Sequence, residues 1–309
     1  MTVDATPIAR PQAVAATRTR RRRRDVSPGR QALLQIVCLF IGLTVTFPVL
    51  WIVAMSVDPR NLQRPDSLFP PGASLDAYAR VIEKPTENPV SFLTLATNSL
   101  FIAIVIAVAS VSIGVLAAYA FSRLRFRGRE ALMIAILAVL MLPAVATIAP
   151  LFVSLNKIQI GTFNLRNSLI GVSIAVISSQ LPFAVWNMKG YLDTIPKELE
   201  EAATVDGAGK WQTFVRIILP LATPVLAVTA LFAFIGGWTE FILSWTFLTK
   251  PETFTLAMAL NGMVGQYASN TPWSNFAAFS ILFALPPILA YAFLQKYIVG
   301  GLTVGGVKG

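Results

Sequence analysis

The chain has 309 residues, of which 55% are hydrophobic and 13% are charged, and its net charge is +10. Soluble domains carry roughly 25% charged residues, so this composition indicates a membrane protein. The sequence has no histidine and one cysteine, which excludes an internal disulfide framework and disfavours zinc and iron–sulfur sites. We therefore expect no metal site and no cofactor bound by this chain.

The first segment is basic. Eight basic residues lie within the first 30 positions, including the run from Arg20 to Arg24. No aromatic side chains are interleaved with them, which favours a solvated cytoplasmic tail near anionic lipid over an RNA-binding arm. We predict a disordered tail over residues 1–31, with membrane lipid as a partner and no nucleic acid.

Six apolar stretches follow the tail. About 20 apolar residues cross a bilayer as a helix. We predict an all-α polytopic membrane protein with six transmembrane helices, at about 32–57, 92–122, 130–155, 167–189, 219–247 and 275–299. The first stretch is longer than the roughly 7–15 apolar residues of a signal peptide, so we expect it to be retained.

The distribution of Lys and Arg predicts the orientation. With the N-terminus inside, 18 of the 25 basic residues lie in cytoplasmic segments and 7 lie outside. This asymmetry follows the positive-inside rule, and the opposite orientation violates it. We therefore predict that both termini are cytoplasmic.

Prolines and polar side chains interrupt the later spans. The prolines are Pro143, Pro150, Pro182, Pro224, Pro286 and Pro287, and the polar side chains include Asn98 and Gln180. Each proline removes a backbone donor, and the freed carbonyl needs another partner. Two interpretations stay open: ordinary interhelical packing, and a polar passage between helices that rearrange.

A polar segment, EAATVDGAGKWQTFVRIILP at 201–220, separates the fourth and fifth spans. Pro196 suits the first turn of a helix, and Gly207 is placed to end that helix in a left-handed conformation. We expect a shallow apolar face on this first helix, formed by Leu199, Ala202 and Ala203.

A second helix is predicted directly after the turn. Its residues Trp211, Phe214, Val215 and Ile218 lie at i, i+3, i+4 and i+7 and form an apolar stripe. Gly209–Lys210 does not belong to a phosphate-binding loop, because that motif needs other residues at positions 204 and 211. From the residues alone, a docking helix and a plain re-entry loop remain open.

The same segment resembles the EAA loop of membrane subunits of bacterial and archaeal ABC importers. The pattern is matched by Glu201, Ala202, Ala203, Asp206, Gly207, Ala208, Leu219 and Pro220. The closing stretches WSNFAAFSILFALPP and QKYIVGGLTVGGVKG are similar to the carbohydrate branch, which imports maltose and maltodextrins.

The resemblance implies a type I importer transmembrane domain over 32–309, with an EAA loop at 193–220 that couples to the ATPase. It implies a multi-pass permease in the cell membrane, not an enzyme. The implied partners are a second, non-identical permease, an ABC ATPase dimer that binds ATP and Mg, an extracytoplasmic solute-binding protein, and a sugar such as maltose, maltodextrin or trehalose. The alternatives are a permease for another solute such as glycerol 3-phosphate, and an ion-coupled secondary transporter acting alone.

One departure from the family pattern lies in the fifth span, where Trp238-Thr239-Glu240 replaces a frequent Trp-Asn-Glu. A carboxylate within a span is costly and indicates function, whereas a carboxylate near the outer interface is merely solvated, and both placements stay open for Glu240. Glu240, Trp238, Asn98 and Gln180 are therefore candidates for the translocation path. The aromatic side chains either stack on sugar or form an interfacial belt, the set being Trp238, Trp245, Tyr267 and Trp273. We expect the solute-binding protein to dock on loops near 58–90 and 250–273.

Overall fold

The computed structural model describes residues 27–265 and 270–305, with side chains described as far as residue 298. Residues 1–26 of the predicted tail and Tyr267 lie outside the described residues. The chain divides into two units, 1–49 and 50–309. Helix α1, Pro28–Ser56, begins in the first unit and ends in the second, and its apolar side chains are exposed over most of its length.

The described part of the second unit is mostly helical. Its helices, in chain order, are α2 Asp76–Glu83, α3 Phe92–Arg123, α4 Arg129–Leu140, α5 Ile148–Asn156, α6 Leu169–Leu192, α7 Glu198–Val205, α8 Lys210–Leu221, α9 Thr223–Trp238, α10 Ile242–Phe247, α11 Leu256–Gly262 and α12 Trp273–Gly305. Short 3-10 turns occupy Ala144–Thr147 and Pro251–Thr253, and a two-stranded antiparallel hairpin pairs β1 Gln159–Ile160 with β2 Phe163–Asn164.

Four described helices are long and apolar enough to span a bilayer, namely α1, α3, α6 and the part of α12 over Trp273–Ile298. They lie at the predicted first, second, fourth and sixth spans. Pro182 stays inside α6, and Pro286 and Pro287 stay inside α12. The described residues therefore hold four uninterrupted spans, or six if each of two bent helix pairs counts as one.

The span predicted over 130–155 is not one helix. Helix α4 and the segment Ala144–Asn156 meet at an angle of 102°. Pro143 adopts an extended conformation at this break, where it cannot continue the helical hydrogen bonding. With 12 residues, α4 is about 18 Å long and is shorter than the roughly 30 Å hydrocarbon core.

The fifth predicted span, 219–247, is also divided. Helices α8 and α9 meet at 73°, and Pro224 lies in the first turn of α9, where its missing N–H costs nothing. A second break after Trp238 separates α9 from the short α10. The predicted fifth span therefore consists of the end of α8, the helix α9 and the short helix α10.

Helices α3, α6 and α9 form the centre of the second unit, and α12 packs on α9. Three buried clusters lie along them. The cluster nearest the α7 end contains Ala118 of α3, Met188 and Leu192 of α6, and Phe214 and Ile218 of α8. Burying one such large side chain contributes about 1.5–3 kcal/mol. The segment that carries α7 and α8 is thus packed onto the central helices.

Candidate functional site

Helix α7 ends in the left-handed turn that the sequence predicts. Gly207 has φ = 82°, a conformation that costs a residue with a side chain about 1–2 kcal/mol. The N–H of Ala208 donates to the carbonyl of Ala203 at 2.9 Å, and the N–H of Gly207 donates to that of Thr204 at 3.1 Å. These two bonds define a Schellman motif, so the last carbonyls of α7 are satisfied and its end is fixed.

Helix α8 begins at once after this turn. The Gln212 side chain accepts a hydrogen bond from the N–H of Gly209 at 3.1 Å, which caps the helix start. A π-helical turn over Phe214–Ile218 interrupts the 3.6-residue period. The predicted apolar stripe is only half buried: Phe214 and Ile218 are buried, whereas Trp211 and Val215 are exposed.

An ion pair attaches α7 to the end of α3. The Arg123 guanidinium pairs with the Glu200 carboxylate, and the side chains are 6% and 17% exposed. A second nitrogen of Arg123 donates to the carbonyl of Ile195 at 2.8 Å. Sequence reasoning missed this pair, because its members are 77 residues apart.

A second polar contact lies beside the ion pair. The Ser122 hydroxyl donates to the Asp193 carboxylate at 2.6 Å, and Lys189 donates to its other oxygen. Burial alone raises the pKa of Asp193, but the hydrogen bonds from Lys189 and Ser122 outweigh it, and the pKa lies below its ordinary value. Asp193 therefore stays ionised and ties the end of α6 to α3.

The outer face of α7 has no cover within the described residues. Leu199, Glu201, Ala202 and Asp206 are exposed, and Val205 is 88% exposed. Of the predicted shallow face, only Ala203 is buried, and α7 turns Glu200 toward α3. The remaining EAA-loop residues are exposed at Gly207 and Pro220 and half-buried at Ala208 and Leu219.

A short helix with a free face, held to α3 by an ion pair near its start and joined to α8 by a tight turn at its end, is the geometry of a contact element on a membrane protein. Residues 110–304 of this chain match the family described as "Binding-protein-dependent transport system inner membrane component". The chain belongs to this family. It is accordingly a transport permease of the inner membrane, with several membrane helices.

The permease is similar along most of its length to curated relatives. It is 35% identical to the "Maltose/maltodextrin transport system permease protein MalG" of Vibrio vulnificus (strain YJ016), over 86% of this chain and 91% of the relative. It is 33% identical to the "Trehalose/maltose transport system permease protein MalG" of Thermococcus litoralis, covering 91% and 98%. The "Galactooligosaccharides transport system permease protein GanQ" of Bacillus subtilis is also 33% identical, over 89% and 94%.

The fold is found in a solved ABC transporter. A chain of the crystal structure of a bacterial ABC transporter involved in the import of the acidic polysaccharide alginate aligns with a TM-score of 0.71. The alignment covers 88% of the permease and 98% of that chain, at 23% identity. At this identity the likeness establishes the fold of the permease.

Two of the proposed path residues have local structural roles. Trp238 is 2% exposed, and its indole N–H donates to the carbonyl of Phe283 at 2.9 Å. Its ring is buried and offers no surface to a ligand in this conformation. The Glu240 carboxylate accepts a hydrogen bond from the N–H of Leu243 at 2.6 Å, so it caps the start of α10.

The other two path residues differ from each other. Asn98 donates to the carbonyls of Glu252 and Phe254 at 2.8 and 2.9 Å, which holds the 3-10 turn Pro251–Thr253 against α3. Gln180 lines a cavity of about 320 Å³ between α3, α6 and α9. Only Gln180 of the four thus faces open space inside the helix bundle.

The predicted docking loops meet at the end of the bundle opposite α7. The N–H of Ser274, at the start of α12, donates to the side chain of Asn61 at 3.0 Å, and the Arg80 side chain donates to Asn275 at 3.2 Å. Trp245 is exposed at a cavity of about 680 Å³ on this side, whereas Trp273 packs on Phe276. No group of metal-ligating side chains is found in the described part of the chain.

Proposed function

We propose that this permease is one of two non-identical membrane subunits of an ATP-driven sugar importer. The curated relatives named above carry maltose, maltodextrin, trehalose and galactooligosaccharides in their names, and their similarity extends over most of both chains. An oligosaccharide is therefore the substrate class that the relatives support best.

Helix α7 is the element that docks on the ATPase subunit. Its uncovered face combines apolar Leu199 and Val205 with the carboxylates of Glu201 and Asp206. Apolar side chains fit a groove, and carboxylates offer charge-assisted hydrogen bonds to basic side chains of the partner. This uncovered face is the single observation that carries the proposed docking of α7 on the ATPase.

The attachment of α7 couples its movement to that of α3 and of the linker after α6. A movement of α7 is passed to α3 through the Arg123–Glu200 pair and to the linker after α6 through the Ile195 carbonyl. ATP and Mg²⁺ bind in the ATPase dimer, whose closure favours one of two permease conformations. The permease then exposes its passage to one side of the membrane at a time.

The sugar arrives on a solute-binding protein that docks at the end opposite α7. The loop after α1 and the start of α12 are joined there by Asn61 and Ser274, and Asn98 holds the neighbouring turn. With α7 in the cytoplasm, as the distribution of basic residues predicts, this end is extracytoplasmic.

Co-purification followed by reconstitution tests the proposal. A tagged permease is expected to bring down an ATPase and a second permease, and the complex in proteoliposomes is expected to hydrolyse ATP faster when the binding protein carries its sugar. Maltose, maltotriose, trehalose and glycerol 3-phosphate are the probes. A permease that transports alone, without an ATPase, contradicts the proposal, and a response only to glycerol 3-phosphate contradicts the sugar assignment.

A further inference from the structure

The cavity between α3, α6 and α9 has the composition of a small-molecule site. Its volume of about 320 Å³ is lined by Ser110, Ser179, Gln180, Phe183, Ala184, Thr229, Phe232 and Ala233. Sites for small ligands span about 300–1,000 Å³, with mainly apolar walls and a few polar groups that orient the ligand. This cavity follows that pattern and lies among the three central helices.

Gln180 brings unused hydrogen-bonding capacity to this cavity. Among the described residues, no group hydrogen-bonds to its carboxamide. The carboxamide has two donors and an acceptor with two lone pairs. A polar side chain left without partners inside a membrane helix bundle is costly and indicates a functional role.

Gly236 on α9 leaves the space that the Gln180 carboxamide occupies. A methyl group at Gly236 would lie 2.4 Å from Nε2 of Gln180, too close for contact. The obstruction is the end of a flexible side chain, so an alanine there moves the carboxamide rather than the helices. The absence of a side chain at Gly236 thus allows the Gln180 carboxamide to occupy this position.

The wall formed by α3 adds a second polar group. Ser110 is 0% exposed, lines the same cavity, and its hydroxyl has no partner among the described atoms. Leaving a buried hydroxyl unsatisfied is unfavourable, but at 0% exposure Ser110 offers no surface to a ligand in this conformation. Nearby Thr229 already accepts from Asn187 at 3.3 Å.

The remaining walls suit the face of a sugar ring. Phe183 and Phe232 are both exposed. A pyranose has C–H faces and a hydroxyl edge, and aromatic faces carry the negative end of a quadrupole that attracts C–H groups. We propose that this cavity is a sugar subsite of the passage, in which Gln180 hydrogen-bonds to a hydroxyl and Phe183 and Phe232 pack against the ring. The proposal rests on the sugar-import function proposed above.

Transport by the complete reconstituted complex tests the subsite, with radiolabelled maltose, maltotriose and trehalose as probes. The variants are Gln180→Ala, which removes the carboxamide, and Gly236→Ala, which displaces it. We expect sugar uptake per ATP hydrolysed to fall by about tenfold in both, as for the loss of a buried hydrogen bond. The ratio of uptake between the sugars is expected to change as well, which a general packing defect would not produce. Ser178→Ala, on α6 but outside the cavity, is the control and is expected to match the wild type.

A labelling experiment checks occupancy directly. Ser179→Cys is made in a Cys38→Ser background, since Cys38 is the single natural cysteine. The transported sugar is expected to slow maleimide labelling at position 179. Wild-type uptake and sugar ratios in both variants, or labelling that sugar does not slow, overturn the subsite while the importer stands. If the wild-type complex takes up none of the sugars, the proposed function fails and the subsite fails with it.

Discussion

Arg123 at the last turn of α3 and Glu200 in the first turn of α7 form a buried ion pair in the permease. The pair joins the end of a 32-residue membrane helix to a helix whose outer face is free. Because Arg123 also binds the Ile195 carbonyl, one side chain connects α3, α7 and the linker that follows α6.

Replacing Arg123 by methionine is expected to loosen α7. The substitution leaves the Glu200 carboxylate largely buried without its cation, and breaking such a pair costs about 3 kcal/mol. We expect a lower unfolding midpoint in detergent and weaker stimulation of the ATPase by the loaded binding protein. The exposed Arg127, four residues further on, provides the control Arg127→Met, which is expected to behave like the wild type.

The double variant Arg123→Met with Glu200→Gln separates loss of the pair from loss of packing. Removing the stranded charge is expected to restore part of the stability, so the two effects are less than additive. Fully additive losses would show that the two side chains are not energetically coupled.

Gly207→Ala is expected to destabilise the end of α7. The positive φ of 82° costs alanine about 1 kcal/mol or more, although no atom obstructs a methyl group there. Gly190→Ala is the control, because Gly190 lies within α6 without a positive φ and has equally open surroundings. We expect ATPase coupling in proteoliposomes to fall for Gly207→Ala only. Equal effects at both glycines would contradict a role for the left-handed turn.

Substitutions of Glu240 distinguish capping from a role in the passage. Glu240→Gln keeps an oxygen that accepts from the N–H of Leu243, whereas Glu240→Ala loses it and is expected to cost about 1 kcal/mol in thermal stability. If Glu240 acts only as a cap, sugar uptake by Glu240→Gln stays at the wild-type rate. Reduced uptake at unchanged stability would instead place the charge of Glu240 in the translocation path.

The loop after α1 is expected to make stability depend on pH. Asp58 is 1% exposed at its side chain, and the Arg60 side chain, by hydrogen bonding to its carboxylate, lowers the pKa of Asp58. A folded pKa below the unfolded value of about 3.9 stabilises the protein above that pH, and the stabilisation is lost as pH falls through the folded pKa. Thermal unfolding from pH 6 down to pH 3 is expected to show this loss in the wild type. Asp58→Asn is expected to show a flatter pH dependence, and an unchanged slope would contradict the assignment.

Local signals allowed much of this fold to be predicted. Four spans follow from runs of apolar residues, and the turn after α7 follows from glycine at position 207, since both depend on neighbours in the sequence. The 102° bend after α4 was not predictable, because Pro143 marks a break but tertiary packing sets its angle. The π-helical turn over Phe214–Ile218 in α8 has no such local signal.

The candidate site was predicted less completely. The resemblance to the EAA loop marked residues on the outer face of α7, such as Glu201, but not Glu200, which faces α3. The partner of Glu200 lies 77 residues earlier, and pairs so distant leave no trace in periodicity. Trp238 shows a second reason: the composition of a span does not reveal which side of the helix is buried, and Trp238 is on the buried side.

Photo-cross-linking from the free face of α7 tests the central claim most directly. A photoreactive amino acid at Val205, which is 88% exposed, is compared with one at Leu75, which is 69% exposed near the opposite end of the bundle. In the assembled complex, the probe at position 205 is expected to cross-link to the ATPase subunit, with a yield that changes when ATP is added, and the probe at position 75 is not. An ATPase that co-purifies but never cross-links to position 205 would contradict docking through α7.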